Sequence, residues 1–222
     1  MDCDISLIVQ KYGHYLEMAF RAVNTKDSEL TWVVDQQESC TEFGYCVDHG
    51  IAFMTFQGAT TIKDFVQAFS QKTTKFCGQL AQKSTVEKFK TKIPTIRDVV
   101  TENTPEKFIL IGFSQGGMLV RLLHLFLTTS LRIRSDAITC IIIGAPKSIY
   151  HKKRPNSWMS VCPIIHIINT KDFAPMWPFW WTRNQEHRLT FKSDLPIWKI
   201  KANHMIYSQY FRRFYEGPKM EN

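Results

Sequence analysis

Among the polar side chains of this chain, Ser114 has the most informative surroundings. A short apolar run, Phe108 to Ile111, leads into Gly112-Phe113-Ser114-Gln115-Gly116, and a second apolar run continues to Leu127. The pattern predicts a strand, a sharp turn and a buried helix, with the serine at the turn. Glycines two before and two after the serine remove Cβ atoms where strand and helix come close. The serine can then hold a strained backbone and aim its hydroxyl outward. A hydroxyl is a weak nucleophile at neutral pH, so it needs a base to take its proton and a carboxylate to orient that base.

In the α/β-hydrolase fold, where such elbows occur, the partners follow in the order Ser, Asp or Glu, His. The aspartates after Ser114 are Asp136, Asp172 and Asp194. Asp136 precedes its predicted strand, at the sheet edge opposite the elbow. Asp194 falls in a predicted hairpin tip. Asp172 lies just beyond the C-terminal end of the apolar strand Pro163 to Ile168, on the elbow's edge of the sheet. Only His187 and His204 follow it. His187 lies among charged neighbours, whereas His204 stands where a loop enters a final helix and can reach back over the sheet edge. Ser114, Asp172 and His204 are therefore the candidate catalytic set. His166, inside an apolar strand, and His124, in the elbow helix, read as packed core histidines. An oxyanion needs two preorganised donors. The N–H of Gln115, at the start of the elbow helix, is one candidate, favoured by the helix terminus. The N–H of Ala59, after the strand Ile51 to Phe56, is the other.

The elements that must position these residues follow from periodicity. Residues 5 to 23 predict an amphipathic helix. Leu30 to Val34 and Glu42 to Val47 predict strands, Asp48-His49-Gly50 a turn, and Ile51 to Phe56 a central strand. Gln79 to Glu102 reads as a polar helix with Leu80, Val86, Phe89, Ile93, Ile96, Val99 and Val100 inward, kinked or split at Pro94. Thr101 to Lys107 reads as a loop. Asp136 to Gly144 is the next strand, Tyr150 to Ser160 an exposed basic loop, Leu189 to Ile200 a hairpin, and Asn203 to Tyr215 a terminal helix capped by Asn203. Repeated continuous Ile/Val/Leu/Phe runs between helices predict an α/β fold with a central, mostly parallel sheet buried on both faces, with antiparallel strands added by the N-terminal part.

Composition sets the outer bounds. The 222 residues, 44% hydrophobic and 22% charged, suit one domain over 1–222 with a full core, and exclude a disordered chain. No apolar run approaches the roughly 18 to 20 residues of a membrane span. Acids near the N-terminus stand where an ordinary signal peptide needs cations. A soluble protein, intracellular or peripheral to a membrane, is the expectation. None of the six cysteines forms a Cys-x-x-Cys pair, so no metal site is expected. Cys140 and Cys162 read as buried thiols, and Cys40 and Cys46 as reduced. The net charge of +8 includes His151-Lys152-Lys153-Arg154, a feature suited to anionic surfaces or to simple solubility. No ordered basic-aromatic motif accompanies it, so no nucleic-acid partner is expected.

Five motifs in order resemble the class 3 lipase family, the fungal triacylglycerol lipases and related phospholipases A1. They are Phe56-Gln57-Gly58-Ala59, the elbow Gly112 to Gly117, Gly144-Ala145-Pro146, Asn169-Thr170-Lys171-Asp172-Phe173-Ala174-Pro175, and His204-Met205-Ile206-Tyr207. The resemblance runs from about residue 45 to residue 210. It implies the α/β-hydrolase fold, the set Ser114, Asp172 and His204, an oxyanion hole at Ala59 and Gln115, a lipid ester substrate and no cofactor. It also places Thr61 to Phe69 at the family's lid-forming position. Gln57 stands where the family has arginine. Ala59 stands where it has a hydroxyl residue, so a side-chain oxyanion contact is missing unless Thr60 or Thr61 replaces it. Phe113 and Gln115 depart from the family's elbow spelling. The elbow by itself is closer to acyl-protein thioesterases and small carboxylesterases, which carry an early His-Gly turn that this chain lacks. A non-catalytic lipid-binding protein on the same scaffold is the third reading, favoured by the altered turn at Ala59. Met176 to Trp181 supplies Trp177, Phe179, Trp180 and Trp181 as candidates for acyl-chain or membrane contact, with the basic run 151–154 adding affinity for an anionic membrane surface.

Overall fold

The apolar segments pair into one seven-stranded sheet. The computed structural model describes residues 2–24, 30–33, 43–59, 66–150, 164–179, 181, 187–207 and 209–211. Helix α1 (Asp2–Asn24) comes first, then strands β1 (Thr31–Val33), β2 (Phe43–Asp48) and β3 (Ile51–Phe56). A hairpin, β4 (Thr73–Phe76) and β5 (Gln79–Gln82), is followed by helices α2 (Lys83–Lys90) and α3 (Ile93–Asn103). Then come β6 (Lys107–Phe113), α4 (Gln115–Thr129), β7 (Ile138–Ile143), β8 (Ile149–Tyr150), β9 (Ile164–Asn169), β10 (His187–Phe191) and α5 (Ile200–Met205). The main sheet runs β1-β2-β3-β6-β7-β9-β10. Its first three strands are antiparallel and the rest parallel. This is the central, mostly parallel sheet that the apolar runs predicted, in the α/β-hydrolase arrangement that the resemblance implied.

Both sheet faces are covered, which is why the strands read as unbroken apolar runs. Successive side chains point to opposite faces. Ile109, Ile111, Ile141 and Ile143 pack with Ile5, Val9 and Leu16 of α1. Leu110, Cys140 and Ile142 pack with Phe89 of α2, Ile96 of α3 and Leu119 and Leu123 of α4. Each such fully buried side chain contributes roughly 1.5–3 kcal/mol. No helix among the described residues is long and apolar enough to cross a membrane.

Several expectations need correction. Gln79 to Glu102 is not one helix. Its first residues form β5, where Leu80 is exposed, and the rest is two helices, with Pro94 in the first turn of the second. A proline is tolerated there because its missing N–H has no partner to lose. The β4–β5 hairpin went unpredicted. Its signal is the two-residue turn Cys77-Gly78, both at positive φ (46° and 76°), between β-favouring threonines and Leu80. Together with β8 it makes a small antiparallel sheet of its own. Leu189 to Ile200 is not a hairpin, because β10 lies parallel to β9 and then leaves the sheet. Asn203 does not cap the last helix but sits buried within α5, which Lys199 precedes. Helix α3 extends to Asn103, into the stretch read as loop. The basic loop is described only at Tyr150, which belongs to β8; 151–160 lie outside the described residues. Cys140 is buried and Cys46 half-buried, neither in a disulfide, while Cys40 and Cys162 lie outside the described residues.

Candidate active site

The elbow is built as its spelling requires. Strand β6 ends at Phe113, α4 begins at Gln115, and Ser114 between them has φ 53° and ψ −122°. Its N–H donates to the Ile143 carbonyl (2.9 Å), tying the turn to β7. A Cβ on Gly112 would lie 2.5 Å from the Gly116 oxygen, and one on Gly116 would collide with the Phe56 carbonyl. Neither position admits a side chain without opening the strand–helix contact.

Ser114 Oγ lies 2.8 Å from His204 Nε2, and His204 Nδ1 lies 2.8 Å from Asp172 Oδ2. The carboxylate accepts from Nδ1–H, which leaves Nε2 to accept from the serine hydroxyl. Asp172 is 2% exposed. Its Oδ1 accepts from the Ala174 N–H (3.0 Å), and its Oδ2 accepts a second bond from the Tyr207 hydroxyl (2.9 Å). Tyr207 in turn accepts from the Asn169 N–H (2.8 Å). Burial, reinforced by the charge of Asp172, pushes the Tyr207 phenol well above its ordinary value, so it stays protonated and donates.

The His204 ring is held from three sides. It stacks on Phe113, with centroids 5.2 Å apart, and meets the edge of Tyr207. The helix carrying it is fixed to the end of β9, where Asn169 Nδ2 donates to the Asn203 carbonyl (2.9 Å). Asn169 Oδ1 accepts from the N–H groups of Lys171 and Ser193 (both 3.2 Å). The phenylalanine in place of the family's elbow histidine thus forms the floor on which the imidazole rests. Sequence reasoning left Phe113 and Tyr207 without roles in the site, and gave Asn203 only that of a helix cap. For Tyr207 a signal existed, because a three-residue step in a helix puts its phenol on the same face as His204.

These groups open into a cavity of about 550 Å³ lined by Gly58, Ala59, Phe69, Phe113, Ser114, Phe173, Ala174, Ile200, Lys201, His204 and Met205. Ala59 therefore shares a cavity with Ser114, and Gln115 opens α4 beside it. The Gln115 side chain points inward and accepts from the buried Lys88 ammonium (3.4 Å). Thr60 and Thr61 lie outside the described residues, as do 62–65 of the lid-position stretch; 66–68 form one helical turn. Phe69 lines the cavity, stacked on Phe173 with centroids 5.7 Å apart. Neither phenylalanine was singled out from the sequence.

The aromatic run sits differently from its expectation. Trp177 donates its indole N–H to the Phe69 carbonyl (3.2 Å) and packs behind that ring. Trp181 is buried against Tyr150. Phe179 is exposed, and Trp180 lies outside the described residues. The cavity wall takes its aromatics from Phe69, Phe113 and Phe173 instead. Lys147 braces this region, its ammonium donating to the carbonyls of Pro178 and Trp181 (both 2.8 Å).

The other histidines stand apart. His166 is buried, with the Arg121 guanidinium 3.3 Å from its Nδ1. Burial lowers His124 to about 4, so it is neutral near pH 7. His187 is exposed at the start of β10. Among the described residues no group of His, Cys, Asp and Glu side chains is arranged to hold a metal ion.

The chain matches the family model for lipase (class 3) over residues 18–181. A search of curated proteins finds no match. The fold is similar to a lipase from Rhizopus microsporus var. chinensis (TM-score 0.66, 14% identity, 84% of this chain and 75% of that one). It is similar to the Rhizomucor miehei lipase propeptide complex (TM-score 0.68, 14% identity, 85% and 70%). It is also similar to the Lip2 lipase of Yarrowia lipolytica (TM-score 0.64, 12% identity, 89% and 93%). With a family match spanning most of the sequence and this fold beneath it, the chain belongs to the class 3 lipase family, and with it to the serine ester hydrolases.

Proposed function

We propose that the chain acts as one catalytic domain that hydrolyses carboxylic esters of lipids, of triacylglycerol lipase or phospholipase A1 type. The observation that carries this reading is the unbroken path from Ser114 through His204 to Asp172, at 2.8 Å per step, opening into a cavity walled by Phe69, Phe113, Phe173, Ile200 and Met205. Ser114 Oγ attacks the ester carbonyl carbon while His204 Nε2 takes its proton. The oxyanion forms beside the N–H groups of Ala59 and Gln115. The C–O bond to the alcohol then breaks as the imidazolium returns its proton to the leaving oxygen. Water, deprotonated by the same imidazole, attacks the acyl-enzyme and releases the carboxylic acid and free Ser114. Asp172 holds the imidazole tautomer and stabilises its charged form.

Two experiments test the reading. A fluorophosphonate probe labels the protein at Ser114, and a panel of glycerides, phospholipids and soluble carboxylic esters, varied in head group and chain length, gives turnover on lipid esters. No labelling together with no ester turnover overturns it. The oxyanion turn gives a second check. Ala59 has no hydroxyl, and one missing donor is worth on the order of 100-fold. Ala59→Ser therefore raises kcat, by up to roughly 100-fold, with little change in KM. A kcat that does not rise shows that a hydroxyl at position 59 does not reach the oxyanion, leaving the backbone N–H as the only contribution of that residue.

A further inference from the structure

A lysine ammonium lies buried behind the elbow. Helix α2 turns Thr85, Val86, Lys88 and Phe89 inward. Val86 and Phe89 are ordinary core residues, but Lys88 is a cation only 6% exposed. Its Nζ donates to Gln115 Oε1 (3.4 Å), and Gln115 is itself fully buried. A lysine ammonium can only donate, so the amide must turn its oxygen toward α2. Gln115 is the first residue of α4, and its own N–H is one of the two oxyanion donors in the mechanism above.

The same helix also backs the strand that carries the other donor. Phe89, next to Lys88, packs on Phe56 with centroids 6.1 Å apart, and Phe56 ends β3 three residues before Ala59. The end of β3 is pressed in turn on α4, since a Cβ on Gly116 would collide with the Phe56 carbonyl. Neither Lys88 nor Phe89 lines the cavity. Helix α2 therefore supports both sides of the oxyanion hole from behind, and reaches the Gln115 side with a charge.

Burying a cation there is unfavourable twice over. Charged side chains are seldom buried, and this one sits beside a helix terminus that already carries partial positive charge. No acidic residue stands in the first turn of α4, and none of the described side chains lining the cavity is acidic. Lys88 and the helix terminus thus add positive potential on the oxyanion side of Ser114. That potential is a cost in the resting enzyme and a gain once the ester carbonyl becomes an oxyanion. An interaction of this kind raises kcat rather than affinity.

We propose that Lys88 is a positioning residue for the oxyanion. Acting through Gln115, it fixes the first N–H of α4 and adds its charge to the field that meets the negative oxygen. As the bond from Ser114 Oγ to the carbonyl carbon forms, the serine proton passes to His204 Nε2 and the carbonyl π pair moves onto oxygen. Lys88 favours that last displacement. The assignment gives two departures from the family spelling a joint reason. Ala59 takes a hydroxyl away from the hole, and Gln115 links the hole to a buried cation. It deepens, and rests on, the hydrolase reading above.

Lys88→Met keeps the length of the side chain and removes its charge. On a soluble short-chain ester kcat is expected to fall about tenfold, less than the roughly 100-fold of a donor that touches the oxygen, with KM unchanged. A trifluoromethyl ketone, which Ser114 converts to an anionic tetrahedral adduct, loses affinity by the same factor. The corresponding carbinol, which bears no oxyanion, loses none. A mere packing defect would weaken both alike. Lys88→Met with Gln115→Leu replaces the polar pair by an apolar one, so the melting temperature returns toward the parent's. Its kcat stays down about tenfold, not by the product of two losses, because the two residues act as one unit. This double variant decides the matter if Lys88→Met alone melts early. A kcat and ketone affinity within about twofold of the parent's in the folded variants overturns the proposal, as does equal weakening of ketone and carbinol. A parent that neither labels with fluorophosphonate nor turns over esters fails the hydrolase reading and the proposal with it. A parent that labels, with variants that label as fast, fails the proposal alone.

Discussion

Ser114→Ala lowers kcat on a soluble ester by about 10⁶-fold and abolishes fluorophosphonate labelling. The size follows from how a Ser-His-Asp unit works. Removal of the serine costs about as much as removal of all three members, and what remains over water comes from binding and the oxyanion donors. The substitution removes one oxygen and its 2.8 Å bond to His204, and leaves the elbow backbone as it stands. Circular dichroism and melting temperature therefore stay close to the parent's, so the lost activity is chemical. Ser114→Gly supplies an independent readout. The serine sits at φ 53° and ψ −122°, where a side chain costs on the order of 1–3 kcal/mol. Glycine relieves part of that strain, set against the freedom it adds to the unfolded chain. A protein that gains or holds its melting temperature while losing all labelling identifies strain stored at the nucleophile. Labelling that persists in Ser114→Ala would remove Ser114 from the mechanism.

The parts of the fold visible in the sequence were those set by local pattern. Ile51 to Phe56, Phe108 to Ile111 and Ile141 to Ile143 are apolar on both faces because helices cover both, and a buried parallel strand has no other spelling. The elbow was readable because its glycine spacing is a local pattern, although only the collision of Gly112 with the Gly116 carbonyl is local and that of Gly116 is with the distant Phe56 carbonyl. Asp172 and His204 came into view through chain order and strand ends, since an α/β sheet gathers its chemistry at one edge. The misreadings have a common origin in distant contacts. Asn203 reads as a cap by its type, yet it is buried with its amide oxygen accepting from Asn169 and Ser193 and its NH₂ donating to the Pro196 carbonyl, all from other parts of the chain. Leu80 fits a helical stripe, yet β5 pairs with β4 and β8, and the second partner lies far along the chain. Trp177 and Trp181 carry the composition of a lipid contact, but the carbonyls that Lys147 gathers fold that segment inward. Phe69 and Phe173 meet across the cavity from segments about a hundred residues apart, beyond any periodicity.

Asp172→Asn lowers kcat by about 10⁴-fold while leaving Ser114 and His204 in place. Asp172 accepts from three donors: Ala174 N–H on one oxygen, and the Tyr207 hydroxyl and His204 Nδ1–H on the other. An asparagine has one oxygen and one NH₂ to offer. With the NH₂ toward His204, Nδ1 must accept, so the ring proton moves to Nε2, and Nε2 can no longer take the serine proton. This is the wrong-tautomer effect, for which a loss of about 10⁴ is the measure in a serine protease. With the NH₂ turned the other way, it faces the Ala174 N–H and leaves two buried donors without an acceptor, at about 1–3 kcal/mol. The first arrangement costs less stability, so the protein folds and the loss falls on kcat rather than KM. Tyr207→Phe separates orientation from charge. It removes one donor to Asp172 and the acceptor for the Asn169 N–H, but leaves the carboxylate and the His204 tautomer intact. Its cost therefore falls mainly on stability, with a loss of kcat well short of that in Asp172→Asn. Fluorophosphonate labelling rates rank the variants in the same order as kcat, because the probe needs the same activated oxygen. Asp172→Asn turnover within tenfold of the parent would show that another group orients His204. A Tyr207→Phe loss equal to that of Asp172→Asn would instead make the phenol, rather than the carboxylate alone, the group that fixes the imidazole.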